Sequence, residues 1–125
     1  MQVSVARVTL RIVESRSLKG KRKVIRSVLD KSRAKFRVSA AEVGLQDKWQ
    51  MAELGFACVS SKGHHSEEVI QKVVRFVENM HVAVVTDCRT ETVHFGETWE
   101  DESWGDHDPI DESYFFGPES GEDPQ

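Results

Sequence analysis

The stretch VSVARVTLRIVESRSLKGKRKVIRSVLDKSRAKF, residues 3–36, decides the fold, because its apolar period changes once along its length. Over residues 3–13 apolar and polar residues alternate. Ala6, Val8, Leu10 and Ile12 fall on one face; Arg7, Thr9 and Arg11 fall on the other. Period 2 with β-branched residues predicts a strand with one face in a core. From Leu18 to Phe36 the period becomes helical. Leu18, Ile25, Leu29 and Phe36 stack in one stripe with Val28 beside it, and Ser17 stands where a helix cap belongs. Gly20 weakens the first turn.

Working outward, residues 37–43 read as a second strand, 44–48 as a turn and 49–60 as a third strand. The last two form a hairpin whose loop is too long for a two-residue turn. Ser66 reads as the cap of a second helix ending near Met80, with Glu67 and Glu68 in its first turn, where the helix dipole favours anions. Ile70, Val73, Val74 and Val77 make its apolar stripe, and residues 82–95 read as a last strand. The order β-α-β-β-α-β predicts an α+β, ferredoxin-like sandwich: one four-stranded antiparallel sheet, both helices on one face, the other face open.

Charge divides the chain in two. Residues 1–96 carry all 17 Lys and Arg with 10 Asp and Glu, whereas residues 97–125 carry 11 acids and no base. The net charge of −4 is the difference between a cationic domain and an anionic tail. The expected organisation is a domain over 1–96 and an acidic tail over 97–125. That tail mixes Pro, Gly and Ser with Trp99, Trp104, Tyr114, Phe115 and Phe116, has no helical or strand period, and reads as disordered. Two cysteines, Cys58 and Cys88, make no CxxC pair and no disulfide framework, which fits a reducing compartment. A charged first strand near Met1 does not read as a signal peptide, and no apolar run approaches the roughly 20 residues of a membrane span. The expectation is a cytoplasmic protein with no membrane contact.

Residues 16–37 hold ten cations, among them Arg16, Lys19, Lys21, Arg22, Lys23 and Arg26, against one acid, Asp30. Ordinary surface helices intersperse the signs. Cations gathered on one rigid surface suit phosphates, because each neutralised phosphate releases a counterion. The entry turn Ser17 to Arg22 adds free N–H groups that favour an anion, although plain capping is the simpler use of Ser17. Arg7 and Arg11 add charge from the first strand, on the open sheet face.

Other signals carry less. Residues 54–59, LGFACV, have Gly55, Phe56, Ala57 and Val59 where an RNA-recognition strand has its signature. Phe56 nevertheless shares a face with Leu54 and Ala52 and reads as core. Of five histidines only His64 and His65 are adjacent, which makes a poor chelate; neither a metal nor a cofactor is expected. Asp47 with Glu42 and Glu53 reads as exposed carboxylates rather than an acid–base pair. No Gly-rich phosphate loop or Ser/His/Asp set is evident, so the chain does not read as an enzyme. Cys58 reads as a buried hydrophobe.

Four segments resemble the YlxP-like family, small bacterial proteins of unknown function. They are Ser17-Leu18-Lys19 with Lys21-Arg22; Val38-Ser39 with Ala41-Glu42-Val43-Gly44; Gln46-Asp47 with Trp49-Gln50; and Leu54-Gly55 with Val59-Ser60. The resemblance spans residues 1–95. It implies a ferredoxin-like fold and, by gene neighbourhood, a link to translation and ribosome maturation. Gly20, and the acidic aromatic stretch after Gly96, depart from the family.

The leading expectation is an RNA- or ribosome-associated binding protein without catalysis. Its phosphate contacts are Arg16, Lys19, Lys21, Arg22, Lys23 and Arg26, with Arg7 and Arg11 extending the patch. The alternative is a protein–protein module or homodimer formed through the open sheet face. Trp49, with Asp47, either stacks on an exposed base or anchors a partner, or closes the core end while Asp47 caps the turn; the packed role is favoured. The tail either competes with RNA for the basic face, docks a partner through its aromatics, or solubilises the domain.

Overall fold

The structure is a computed structural model that describes residues 1–13, 16–61 and 64–96. The elements are β1 (Gln2–Arg11), α1 (Leu18–Lys35), β2 (Ser39–Gly44), β3 (Met51–Ser60), α2 (His65–Met80) and β4 (Val84–His94). All strand pairs are antiparallel, in the order β2-β3-β1-β4. This is the expected ferredoxin-like arrangement. The acidic stretch from Glu97 onward, with its expected disorder, lies outside the described residues.

The alternation read in β1 builds the core. Ala6, Val8, Leu10 and Ile12 are buried, and Ala52, Leu54, Phe56 and Cys58 of β3 join them on the same face. Ile25, Val28 and Leu29 of α1 and Ile70, Val73 and Val77 of α2 close over that face. Burial of this apolar set drives the assembly, each large aliphatic side chain contributing about 1.5–3 kcal/mol. At the far end of α1, Phe36 meets Phe76 of α2 edge to face, with ring centres 5.5 Å apart. Lys35 lies over both rings at 5.9 and 5.8 Å.

Two polar clusters cross the core side, and the first corrects the expected cap. Ser66 does not cap α2: the N-cap position is His64, and its side chain makes no capping hydrogen bond. Ser66 instead is fully buried and shares a 2.8 Å hydrogen bond with Ser4 Oγ, which shares another of 2.8 Å with Thr92. The hydroxyls tie α2, β1 and β4 together where Ser4 interrupts the apolar face of β1.

The second cluster centres on Lys21, which is 1% exposed. Its ammonium donates a 2.6 Å hydrogen bond to the Leu45 carbonyl and lies 3.2 Å from the Glu42 carboxylate on β2. Leu45 holds a left-handed backbone, φ 59°, so the chain leaving β2 is turned toward that amine. The pair fastens the start of α1 to β2 and to the 45–50 loop. Arg33 does the same one end further on, with 3.2 Å to Asp30 and a hydrogen bond donated to the Ala40 carbonyl.

Removing one member of a buried ion pair strands the other charge. Lys21→Ala should lower stability by about 2–3 kcal/mol in chemical denaturation, below the usual range because Glu42 keeps some water contact. Lys21→Met with Glu42→Leu should recover most of that loss.

Candidate nucleic-acid interface

The 18 residues of α1 begin at a formed cap, where Gly20 N–H donates to Ser17 Oγ at 3.0 Å. One side of the helix is spent on the core. On the opposite side Lys19, Arg22, Lys23 and Arg26, spaced three, one and three residues apart, fall on one arc, and all four are exposed. Arg16 is exposed just before the helix and Lys31 further along it. Among the described residues none of these six is in an ion pair. The only acid on α1, Asp30, is committed to Arg33.

Three sequence expectations are corrected by this placement. Lys21 is not a phosphate contact, because it is sealed beneath the helix and bound to Glu42 and Leu45. Its spacing from Ile25, Val28 and Ser32 places it on the buried stripe with them. Arg7 does not extend the helix patch. It lies on the opposite face of the sheet, 3.5 Å from Glu53 and 4.0 Å from Asp87, so its charge is balanced locally. Gly44 leaves room for that arrangement, since a Cβ there would overlap the Glu53 carboxylate. Arg11 is exposed on the same open face as Arg7, at the end of β1 from which the chain leaves toward α1.

Third, Trp49 does not close the core. It is 56% exposed, in the loop before β3 rather than at the strand start. Asp47 is exposed, and among the described residues no hydrogen bond of its side chain closes the turn; that turn is held by Lys48 N–H donating to the Leu45 carbonyl at 3.1 Å. The loop is pinned to the entry of α1 from two sides. Ile12 N–H donates to the Gln50 carbonyl at 2.8 Å, and the Gln50 amide donates to the Val13 carbonyl at 3.2 Å. Trp49 and Lys48 are therefore held at the end of the molecule where Arg11, Arg16 and Lys19 lie. Lys48 was not singled out from the sequence, although its position beside Trp49 was the available signal.

Carboxylates are dispersed. Glu42 faces α1 and Glu53 faces the open side, each with a cation of its own. Among the described residues no group of three or more His, Cys, Asp or Glu side chains could hold a metal ion. No helix among them is long and apolar enough to cross a membrane. Cys58 is buried, Cys88 lies on β4 beyond β1, and both thiols are free. Burial pushes the Cys58 thiol up. Cys88 is pushed up by burial first, then by the carboxylates of Glu78 and Asp87.

The open face of the sheet carries a shallow groove of about 610 Å³ lined by Val5, Arg7, Ser39, Gly55, Ala57 and Arg89. Arg89 stands directly opposite Arg7 across β1 and β4. Val59 and Val93 are exposed at one end of this face.

Fold and surface together define a ferredoxin-like α+β protein whose first helix presents a cationic arc away from the sheet. The chain belongs to the family described as "Protein of unknown function (DUF503)", whose profile matches residues 3–90. It is similar to "Uncharacterized protein YlxP" of Bacillus subtilis (strain 168), with 39% identity over 80 residues, covering 64% of this chain and 87% of that protein. The resemblance read from the four sequence segments is thereby shown.

The raised thiols set a chemical expectation. At neutral pH, iodoacetamide should modify Cys88 more slowly than a free peptide thiol and leave Cys58 untouched in the folded protein. Mass spectrometry of peptides over a pH series should show Cys88 labelling rise steeply as the pH increases.

Proposed function

We propose that this chain is a non-catalytic RNA- or ribosome-associated binding protein of the cytoplasm, acting in translation or ribosome maturation. Its phosphate-binding surface is Arg16 with the α1 arc Lys19, Arg22, Lys23 and Arg26. One observation carries the reading: the arc is exposed, and among the described residues no carboxylate pairs with any of its members. Several cations held in fixed register on a helix match the spaced charges of a nucleic-acid backbone, and a buried brace beneath keeps that helix in place. Phosphate contacts of this kind position a partner without reading its sequence. Membership of a family of unknown function neither adds a substrate nor supplies a catalytic group.

Reversing the charge of Lys19, Arg22 and Arg26 to Glu should weaken binding to RNA and to the small ribosomal subunit at least tenfold at low salt. It should also reduce the slope of log K against log salt by about 2, at roughly 0.7 per lost single-strand contact. Unchanged co-sedimentation with ribosomal particles at low salt would refute the proposal.

A second reading has its own observation: Val59 and Val93 are exposed on a sheet face that the helices leave open. A homodimer or partner protein covering that face would leave α1 free, so the two readings are compatible. Light scattering at low and high salt distinguishes them. A dimer that persists in high salt and is broken by Val59→Asp is expected here, and a monomer under both conditions excludes the homodimer.

A further inference from the structure

The loop between β2 and β3, tied to the start of the cationic helix by the Lys21–Leu45 hydrogen bond, carries an exposed indole that the phosphate-binding reading leaves unused. The geometry points to single-stranded RNA as the partner class of this surface, with Trp49 as a stacking platform for an unpaired base and Arg16, Lys19 and Lys48 as contacts for the flanking phosphates. This inference rests on the proposed RNA-binding role of α1 and specifies what α1 binds.

Trp49 is 56% exposed, and Val13, whose carbonyl accepts from the amide of the neighbouring Gln50, is 58% exposed. A large aromatic side chain left this open has no packing role in the core to account for it. The exposure is not the result of a slack loop. Lys21 grips the Leu45 carbonyl at one end of the loop, and Gln50 is bonded through its carbonyl and its side-chain amide to Ile12 and Val13 at the other. Trp49 is thus presented from a segment fixed at both ends, which lowers the ordering cost of any contact it makes.

The surroundings select the class of partner. Arg16, Lys19 and Lys48 are exposed on the segments that these bonds bring together, and Asp47 is the one acid described in the loop. Bases in a duplex are stacked on one another and present no free face to an indole. An unpaired base does, and its neighbouring phosphates require cations close by. An apolar protein ligand would use the indole equally well but would gain little from three cations at its rim. The sequence-tolerant character of stacking also agrees with phosphate contacts that position without specifying.

The test uses the full chain with a short oligouridine and an RNA duplex of equal strand length. Trp49→Ala should weaken oligouridine binding roughly five- to a hundredfold while changing duplex binding by no more than about twofold, and Trp49→Phe should retain most of the affinity. A form with Trp99→Phe and Trp104→Phe keeps Trp49 as its only tryptophan. Its emission should be quenched by oligouridine and not by the duplex or by inorganic phosphate. Equal loss for both RNAs on Trp49→Ala, or no loss and no quenching, overturns the stacking role. If the Lys19, Arg22 and Arg26 reversal still abolishes binding in that case, the reading of α1 stands alone. Failure of the wild-type chain to bind either RNA removes both. Capture of a protein that depends on Trp49, with oligouridine binding unchanged, also overturns the inference.

Discussion

An ammonium group enclosed beneath a basic helix is the constraint on which the rest of the surface depends. Lys21 is surrounded by other cations in the sequence, yet it is the one that turns inward, to Glu42 and the Leu45 carbonyl. A buried pair of this kind is a weak source of net stability, because desolvation offsets most of its attraction. What it supplies is register. Only one rotation of α1 places residue 21 over Glu42, and that rotation turns Lys19, Arg22, Lys23 and Arg26 outward. The same amine holds the exit of β2, so the loop carrying Trp49 is tied to the start of the helix.

The strand–helix order was legible because each element announces itself through its own period. Alternation in β1 and the helical stripe of α1 give the correct inner faces, and element boundaries shift by only a few residues. Side-chain roles were harder to read where a polar residue sits on an apolar stripe. Lys21 follows the spacing of Ile25, Val28 and Ser32, and Ser4 follows that of Ala6 and Val8. Both spacings are visible in the sequence. Their partners Glu42 and Ser66 are not, because they approach from elements distant along the chain. Trp49 was misplaced for a smaller reason: β3 begins at Met51, so an aromatic expected to pack at the strand start stands in the loop instead.

The two sides of the sheet handle charge differently. On the open side Arg7 stands between Glu53 and Asp87, and the strand pairing interleaves the signs row by row. On the helix side Glu42 is drawn inward to Lys21 and Asp30 pairs with Arg33, and none of the described acids forms an ion pair with the arc of α1. Counting cations along the chain merges these two populations. Only the pleat and the helix rotation separate a neutralised group from an available one.

Enclosure of Lys21 also divides the amines of α1 into two chemical classes. Lys19, Lys23, Lys31 and Lys35 are exposed, where an acyl donor can reach them; at the first three acylation would cancel positive charge without disturbing the packing below, whereas Lys35 also lies over the Phe36 and Phe76 rings. Lys21 is sheltered from such reagents for as long as the domain stays folded. Acylation of the exposed amines would therefore lower the surface charge of α1 in steps, while the amine that holds the helix in place stays outside its range.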